Sequence, residues 1–280
     1  MKLLGAIALT AVLGFGQVYE ITSPLGTKRY SLPDEKLVVV AAQRELAAHA
    51  NSAQAFVKLS QAHAAVWEER EAVSACSRGL LAVGENADLL TERGHRELPL
   101  RDFERARKDL SKAVQLSPKR MDAYYHLGLA NYFLGDFNNA AEAFRHAVEF
   151  APDDDERINS TNWLYASLRR AGRTKDAEAA AAAIGPEMTN SAPHTLHYLN
   201  LVRLFQGRIA EADVVPPQPP RGSTDTEAEL GFDTVGYGVG NWHLYNGEAG
   251  KAREYFSKVA EGRVWITWGF IGSENELAGK

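Results

Sequence analysis

With 280 residues, 45% of them hydrophobic and 24% charged, the chain has the composition of a folded protein and the length for one or two cores. Its 31 Lys and Arg stand against 36 Asp and Glu, a formal net charge of −5 with no clustered basic block. That charge pattern argues against nucleic acid as a partner, because a phosphate backbone needs a positive footprint. The single cysteine, Cys76, has no partner for a disulfide within the chain and reads as a small core residue.

Residues 1–16 place Lys2 ahead of an apolar run from Leu3 to Phe15, the order of a secretory signal, and removal before Gln17 is expected. The run is shorter than the roughly 20 residues a spanning helix needs. Tyr19, Glu20 and Lys28 soon follow it, and no Cys is placed to take a lipid. The expectation is therefore a secreted or periplasmic protein with no membrane span after signal removal, a retained anchor being the alternative. Residues 17–52 form an extension that ends in a capping helix at Leu37 to His49.

Self-similarity governs the next stretch. Ala72, Ala106 and Ala140 stand 34 residues apart, as do Leu80, Val114 and Val148, then Ser60, Gly94 and Gly128, then Phe56, Leu90 and Tyr124, and Cys76, Leu110 and Phe144. Pro118 and Pro152 share the step. Three contiguous units follow, at 53–86, 87–120 and 121–154. Each reads as two antiparallel helices, with small residues where the pair crosses, large ones filling the space between, and Gly135 at the turn. Arg93 departs by standing in the column of Leu59 and Leu127, and Pro99 predicts an early end or bend of its helix.

The period, with Tyr124, Leu127, Gly128, Gly135, Ala140, Phe144, Ala147 and Pro152 on signature columns, resembles the tetratricopeptide repeat (TPR) family. That resemblance implies an all-α, right-handed superhelical solenoid of antiparallel helix pairs with a C-terminal capping helix. Residues 155–212 continue as degenerate units: Trp163-Leu164-Tyr165 leads to Gly172 and Ala177, displaced three residues from strict register, and Leu196 to Gly207 with Ala212 reads as another helix pair. A Pro-rich loop at 213–227 follows, since Pro216, Pro217, Pro219 and Pro220 remove the backbone donors a helix needs.

Residues 228–280 supply a last unit, with Gly247 and Ala252 at the same interval as Gly135 and Ala140, and a capping helix from Val264 to Ala278 whose Ser273, Glu274 and Glu276 are expected to face water. This end, from Gly236 through the Trp-rich tail, resembles the ends of bacterial secreted TPR proteins.

Catalytic motifs find little support. Gly236, Gly238 and Gly240 lack the third glycine and preceding strand of a dinucleotide fingerprint, so close helix packing is the reading preferred. His194 with His197, and His95 with His126, lack the carboxylate of a zinc motif. No Gly-x-Ser-x-Gly elbow occurs. The expectation is no enzyme, no cofactor and no metal.

What the family resemblance implies instead is a protein or peptide partner on a concave face lined by first helices. The columns that would line it include Gln61, His95, Tyr125, Leu129 and Tyr132. They lack the Lys, Asn and Arg of relatives that clamp a terminal carboxylate. The alternative is an enzyme or small-ligand binder with a pocket near the aromatic C-terminal segment, lined by Trp242, His243, Tyr245, Trp265 and Trp268.

Overall fold

The computed structural model describes residues 17–189 and 192–279, so the expected signal at 1–16 lies outside the described residues. An antiparallel hairpin that the sequence reading did not anticipate, β1 (Tyr19–Thr22) and β2 (Lys28–Tyr30), leads to α1 (Val38–Ala48), the expected capping helix. From there the helices start on the sequence period. α2 (Ala53–Ala65) pairs with α3 (Glu69–Val83), α4 (Ala87–Glu97) with α5 (Phe103–Leu116), and α6 (Met121–Phe133) with α7 (Phe137–Glu149), so first and second helices alike begin 34 residues apart.

Local chemistry sets those boundaries. Ser52 and Asn86 cap α2 and α4 by accepting from the amides of Ala55 and Leu89, bonds worth about 1 kcal/mol each. α4 runs 11 residues against 13 in α2 and α6, because Pro99 cannot continue the hydrogen-bond ladder. At the crossings, a Cβ on Gly94 would lie 2.6 Å from Leu110 and one on Gly128 2.7 Å from the Phe144 ring. Ala72, Ala106 and Ala140 are fully buried. Arg93 is accommodated by a two-pronged bond to Asp109, at 2.5 and 2.9 Å, and a third to Ser77. Such forked pairing holds a guanidinium where an aliphatic chain sits in the other units.

α8 (Asp154–Arg170) and α9 (Thr174–Ala182) form the fourth pair. The three-residue displacement is taken up in α8, which runs 17 residues, and not in a loop. The expected fifth pair is only half formed. α10 (Pro193–Phe205) is a full helix, but its partner shrinks to a single 3-10 turn at Glu211–Asp213, since the prolines from 216 onward end any helix begun there. The Pro-rich loop then leads to α11 (Thr226–Tyr245), α12 (Ala249–Ala260) and α13 (Trp268–Leu277), where Thr267 caps α13 by accepting from the Phe270 amide.

Six hairpins close with one turn. The amides of Glu68, Asp102, Asp136, Arg173, Arg208 and Glu248 donate to the carbonyls of His63, Glu97, Asn131, Leu168, Arg203 and His243, each five residues back. This motif places the preceding residue in the left-handed region. Four turns use Gly135, Gly172, Gly207 and Gly247 there, but the first two use Trp67 at φ 59° and Arg101 at φ 61°. A side chain in that conformation costs about 1 kcal/mol relative to glycine.

Each pair packs on the next in chain order, and α2, α4, α6 and α8 touch in succession to form one face. The array then turns back on itself. α11 lies against α8, α10 and α12, and α13 lies against α11 and α12. A continuous apolar core runs from Leu98 and Phe103 through Leu129, Phe144 and Trp163 to Tyr237, Phe256 and Ile271. The chain is an all-α, TPR-like solenoid whose last unit sits against the face made by its first helices. No helix among the described residues is long and apolar enough to cross a membrane.

Candidate protein-docking face

The face formed by first helices carries the five residues that the sequence singled out. Gln61, on α2, is exposed. His95, on α4, is stacked on His126 of α6, with ring centroids 3.9 Å apart and planes 21° apart. Parallel stacking directs the two rings' nitrogens past each other and does not converge them on an ion. Burial pushes both imidazoles down, His126 to about 4, and Arg96 and the neighbouring ring lower His95 further. At neutral pH the pair is an uncharged aromatic platform.

The other three are not free contacts. Tyr125 is half-buried, edge-on to Phe144 at 5.7 Å. Leu129 is wholly buried, and Tyr132 is buried among Phe133, Phe137 and Trp163. The Tyr132 hydroxyl donates to Asn241 Oδ1 of α11 at 3.2 Å. In this conformation Leu129 and Tyr132 therefore serve the core. For Tyr132 the return of the C-terminal unit contributes, since Asn241 of α11 reaches its hydroxyl.

That unit meets the inner face through charge as well as apolar surface. Arg29 of β2 donates to Glu274 Oε1 at 2.8 Å, and Arg101, at the α4–α5 turn, donates to Glu274 Oε2 at 2.6 Å. The Glu274 carboxylate is completely buried between the two guanidinium groups. Burial lowers the Arg101 pKa to about 10 against the opposing pull of Glu274, which leaves it charged at neutral pH. Arg170, at the end of α8, pairs with Glu276.

Ser273 is also fully buried. The expectation that Ser273, Glu274 and Glu276 face water thus fails for the first two, because α13 caps α11 and α12 with one side and turns the other toward the array. Trp268 lies over His95 at 5.5 Å and edge-on to His126 at 6.0 Å. Trp265 meets Trp67 edge-on at 6.4 Å and donates from Nε1 to the Tyr30 carbonyl.

Charge burial continues beneath this contact. Glu92 accepts from Ser60 and Arg96. Glu69 is fully buried with neither carboxylate oxygen hydrogen-bonded, and burial raises it to about 8. Glu97 is raised to about 8 for the same reason.

The five aromatics of the alternative reading do not gather. His243 is buried with Glu248 at 2.6 Å and Glu211 at 3.1 Å, and it ties the 3-10 turn to α11 and α12. Of the five, only Tyr245 lines the cavity between α8, α10, α11 and α13, and that cavity holds about 10 Å³, room for about one water. A larger hollow of about 320 Å³ lies against the Pro-rich loop, beside Phe232, Asp233, Lys258 and Arg263.

Trp67, Arg101, Arg29 and Glu274 were missed as contact residues. The column that holds Gly135 holds Arg101 and Trp67 one and two periods earlier, and that break in a turn position was the readable signal.

Residues 122–154 match the tetratricopeptide repeat family model. No curated protein matches the chain. Among solved structures it is similar to YrrB, described as a TPR protein with an unusual peptide-binding site, at 16% identity over 79% of this chain and 92% of that one, with a TM-score of 0.47. It is also similar to MamA, at 20% identity over 51% of this chain and 81% of that one, with a TM-score of 0.45. A second MamA structure covers 65% of this chain at 17% identity with a TM-score of 0.44. Residues 122–154 thus match one tetratricopeptide-repeat unit, and the two helix pairs before it start on the same 34-residue step.

Proposed function

We propose that this protein is an interaction scaffold that captures a partner polypeptide on the inner face of its helical array, and that it acts after export. The observation that carries the reading is the face itself. Four successive first helices present imidazole, guanidinium, carboxylate and aromatic groups along one surface, and the surface already holds a helix of this chain through an ion pair and ring contacts. Rigid aromatic and Arg side chains give large contact energy for little ordering cost. Gln61 is the exposed position at the edge of that face, and half-buried His95 and Tyr125 extend it inward over a floor that includes buried Leu129 and Tyr132. Export rests on the apolar run behind Lys2.

The test is a photocrosslinking amino acid placed at Gln61, with a control at Leu81 on the second-helix side, which is 87% exposed. The scaffold reading predicts a discrete crosslinked partner from position 61 and none from position 81. Equal labelling from both, or none from either, counts against it. Intact mass of the protein recovered from its native compartment tests export: loss of residues 1–16 is the expected result.

A further inference from the structure

Two of six equivalent turns are built from residues that strain them. Trp67 and Arg101 occupy the left-handed position that glycine fills in the other four, and of their two side chains Arg101 also donates to the Pro99 carbonyl within its turn. Both reach the C-terminal segment. Trp67 meets Trp265, and Arg101 binds Glu274 while lying 5.6 Å over the Trp265 ring. Arg29, from a separate element, supplies the second guanidinium and lies 4.5 Å over Phe270. Side chains kept in a sparsely populated backbone region point to a role that glycine cannot perform.

We infer that Trp67, Arg101, Arg29, His95 and His126 form a receptor for a segment that carries an indole, a second indole three positions later and a carboxylate six positions after that, and that Trp265 with α13 occupies this receptor as a tethered ligand. Trp265 and Trp268 are the indoles and Glu274 the carboxylate. This rests on the scaffold reading and adds the chemistry of the partner: a segment of the same Trp-and-Glu pattern competes with α13 for the seat. The seam suits exchange. Ion pairs and ring contacts hold it beside the fully buried Phe270 and Ile271, and α13 buries Ser273 Oγ and both side-chain polar atoms of Asn275 without hydrogen bonds. Polar groups buried without hydrogen bonds cost free energy that α13 recovers in water when it leaves the seat, which lowers the cost of displacing it.

The probe is a fluorescent synthetic peptide of residues 263–279, titrated by anisotropy into three full-length chains. The wild type, with its seat filled, is expected to bind it weakly. Trp268→Ala with Glu274→Gln removes two of the occupant's three anchors and leaves the receptor residues intact, so it is expected to bind at least tenfold tighter. Adding Arg101→Gly is expected to reverse that gain.

Separately, Trp67→Gly with Arg101→Gly places the favoured residue at both turns while removing their reach to the C-terminal segment, and protection of α6 and α7 reports whether the array stays folded. Hydrogen exchange is expected to show α13 amides losing protection tenfold or more while α6 and α7 keep theirs. Unchanged α13 protection overturns the inference, and so does peptide binding that is equal in all three chains. If the Trp268→Ala, Glu274→Gln chain does not fold, the exchange result decides alone. A partner crosslinked at position 61 equally by wild type and the double-glycine chain leaves the scaffold standing and removes the tethered ligand. Release of α13 with no partner crosslinked by either chain does the opposite.

Discussion

The hairpin α6–α7 and the C-terminal unit α11–α13 face the same packing problem in different surroundings. In the hairpin, Gly128 receives the Phe144 ring, Ala140 and Ala147 are fully buried, and Asn138 and Asn139 remain exposed. α11 is enclosed on several sides. A Cβ on Gly236 would meet Val259 of α12, one on Gly238 would meet Leu201 of α10, and one on Gly240 would meet Phe256 of α12. On α13, Gly269 sits against the Asp233 backbone and Gly272 against the Tyr237 ring. A helix in a stack needs a small residue where it crosses its partner, and a helix wrapped by neighbours needs one on each contacted side. The alternating glycines of α11 are therefore packing residues, as their failed match to a nucleotide loop implied.

The sharpest way to break this comparison is to cut into the core that the two regions share. Tyr132→Ala removes a buried ring and its bond to Asn241, and a loss of about 3–5 kcal/mol is expected, read as a lowered midpoint in urea. An unchanged midpoint would restore Tyr132 to the free face. Next is Gly269→Ala, whose Cβ falls 2.1 Å from the Asp233 carbonyl oxygen. Backbone cannot rotate aside as a side chain does, so about 2–3 kcal/mol is expected, with α13 exchange rising before that of α6. Gly128→Ala meets a movable ring at 2.7 Å, and the expected cost is smaller, about 1–2 kcal/mol. If Gly128→Ala proves the more harmful of the two glycine changes, the contrast drawn between hairpin and enclosed helix fails.

The smallest effect expected is on pH dependence. Burial holds Glu69 and Glu97 up to about 8, whereas the unfolded chain ionises them near its ordinary carboxylate value of 4.5. Between those values the unfolded state has released protons that the folded state retains, so these groups favour unfolding increasingly as pH rises. Buried His95 and His126 act oppositely, but their contribution is complete once pH exceeds the ordinary imidazole value of 6.5. Stability is therefore expected to fall from pH 6.5 to 8, measured by denaturant midpoints. Glu69→Gln should flatten that slope without moving the pH-independent contacts of α11.

Legibility followed the same division. The starts of α2, α4 and α6, the short α4 before Pro99, and the crossings at Gly94 and Gly128 could be read because period, proline and small residues act locally or one repeat away. The half-formed partner of α10 was misread, because Ala212 kept the column spacing although the prolines beyond it left no room for a helix. Of the candidate docking-face residues, Gln61 is exposed, whereas Leu129 and Tyr132 are buried, and Tyr132 bonds to an element more than a hundred residues away.

What the chain alone determined is the repeated hairpin: its 34-residue step, the residues at its crossings and the turn that closes it, since each depends on contacts within a unit or with the next. What only the tertiary structure decided is the return of the last unit onto the inner face. The clamp of Arg29 and Arg101 on Glu274, the Trp268 contact with the two histidines and the burial of Tyr132 join residues from roughly 100 to 250 positions apart. No local period encodes such pairings, because they exist only once the curvature of the stacked helices has brought the end of the chain back beside its beginning.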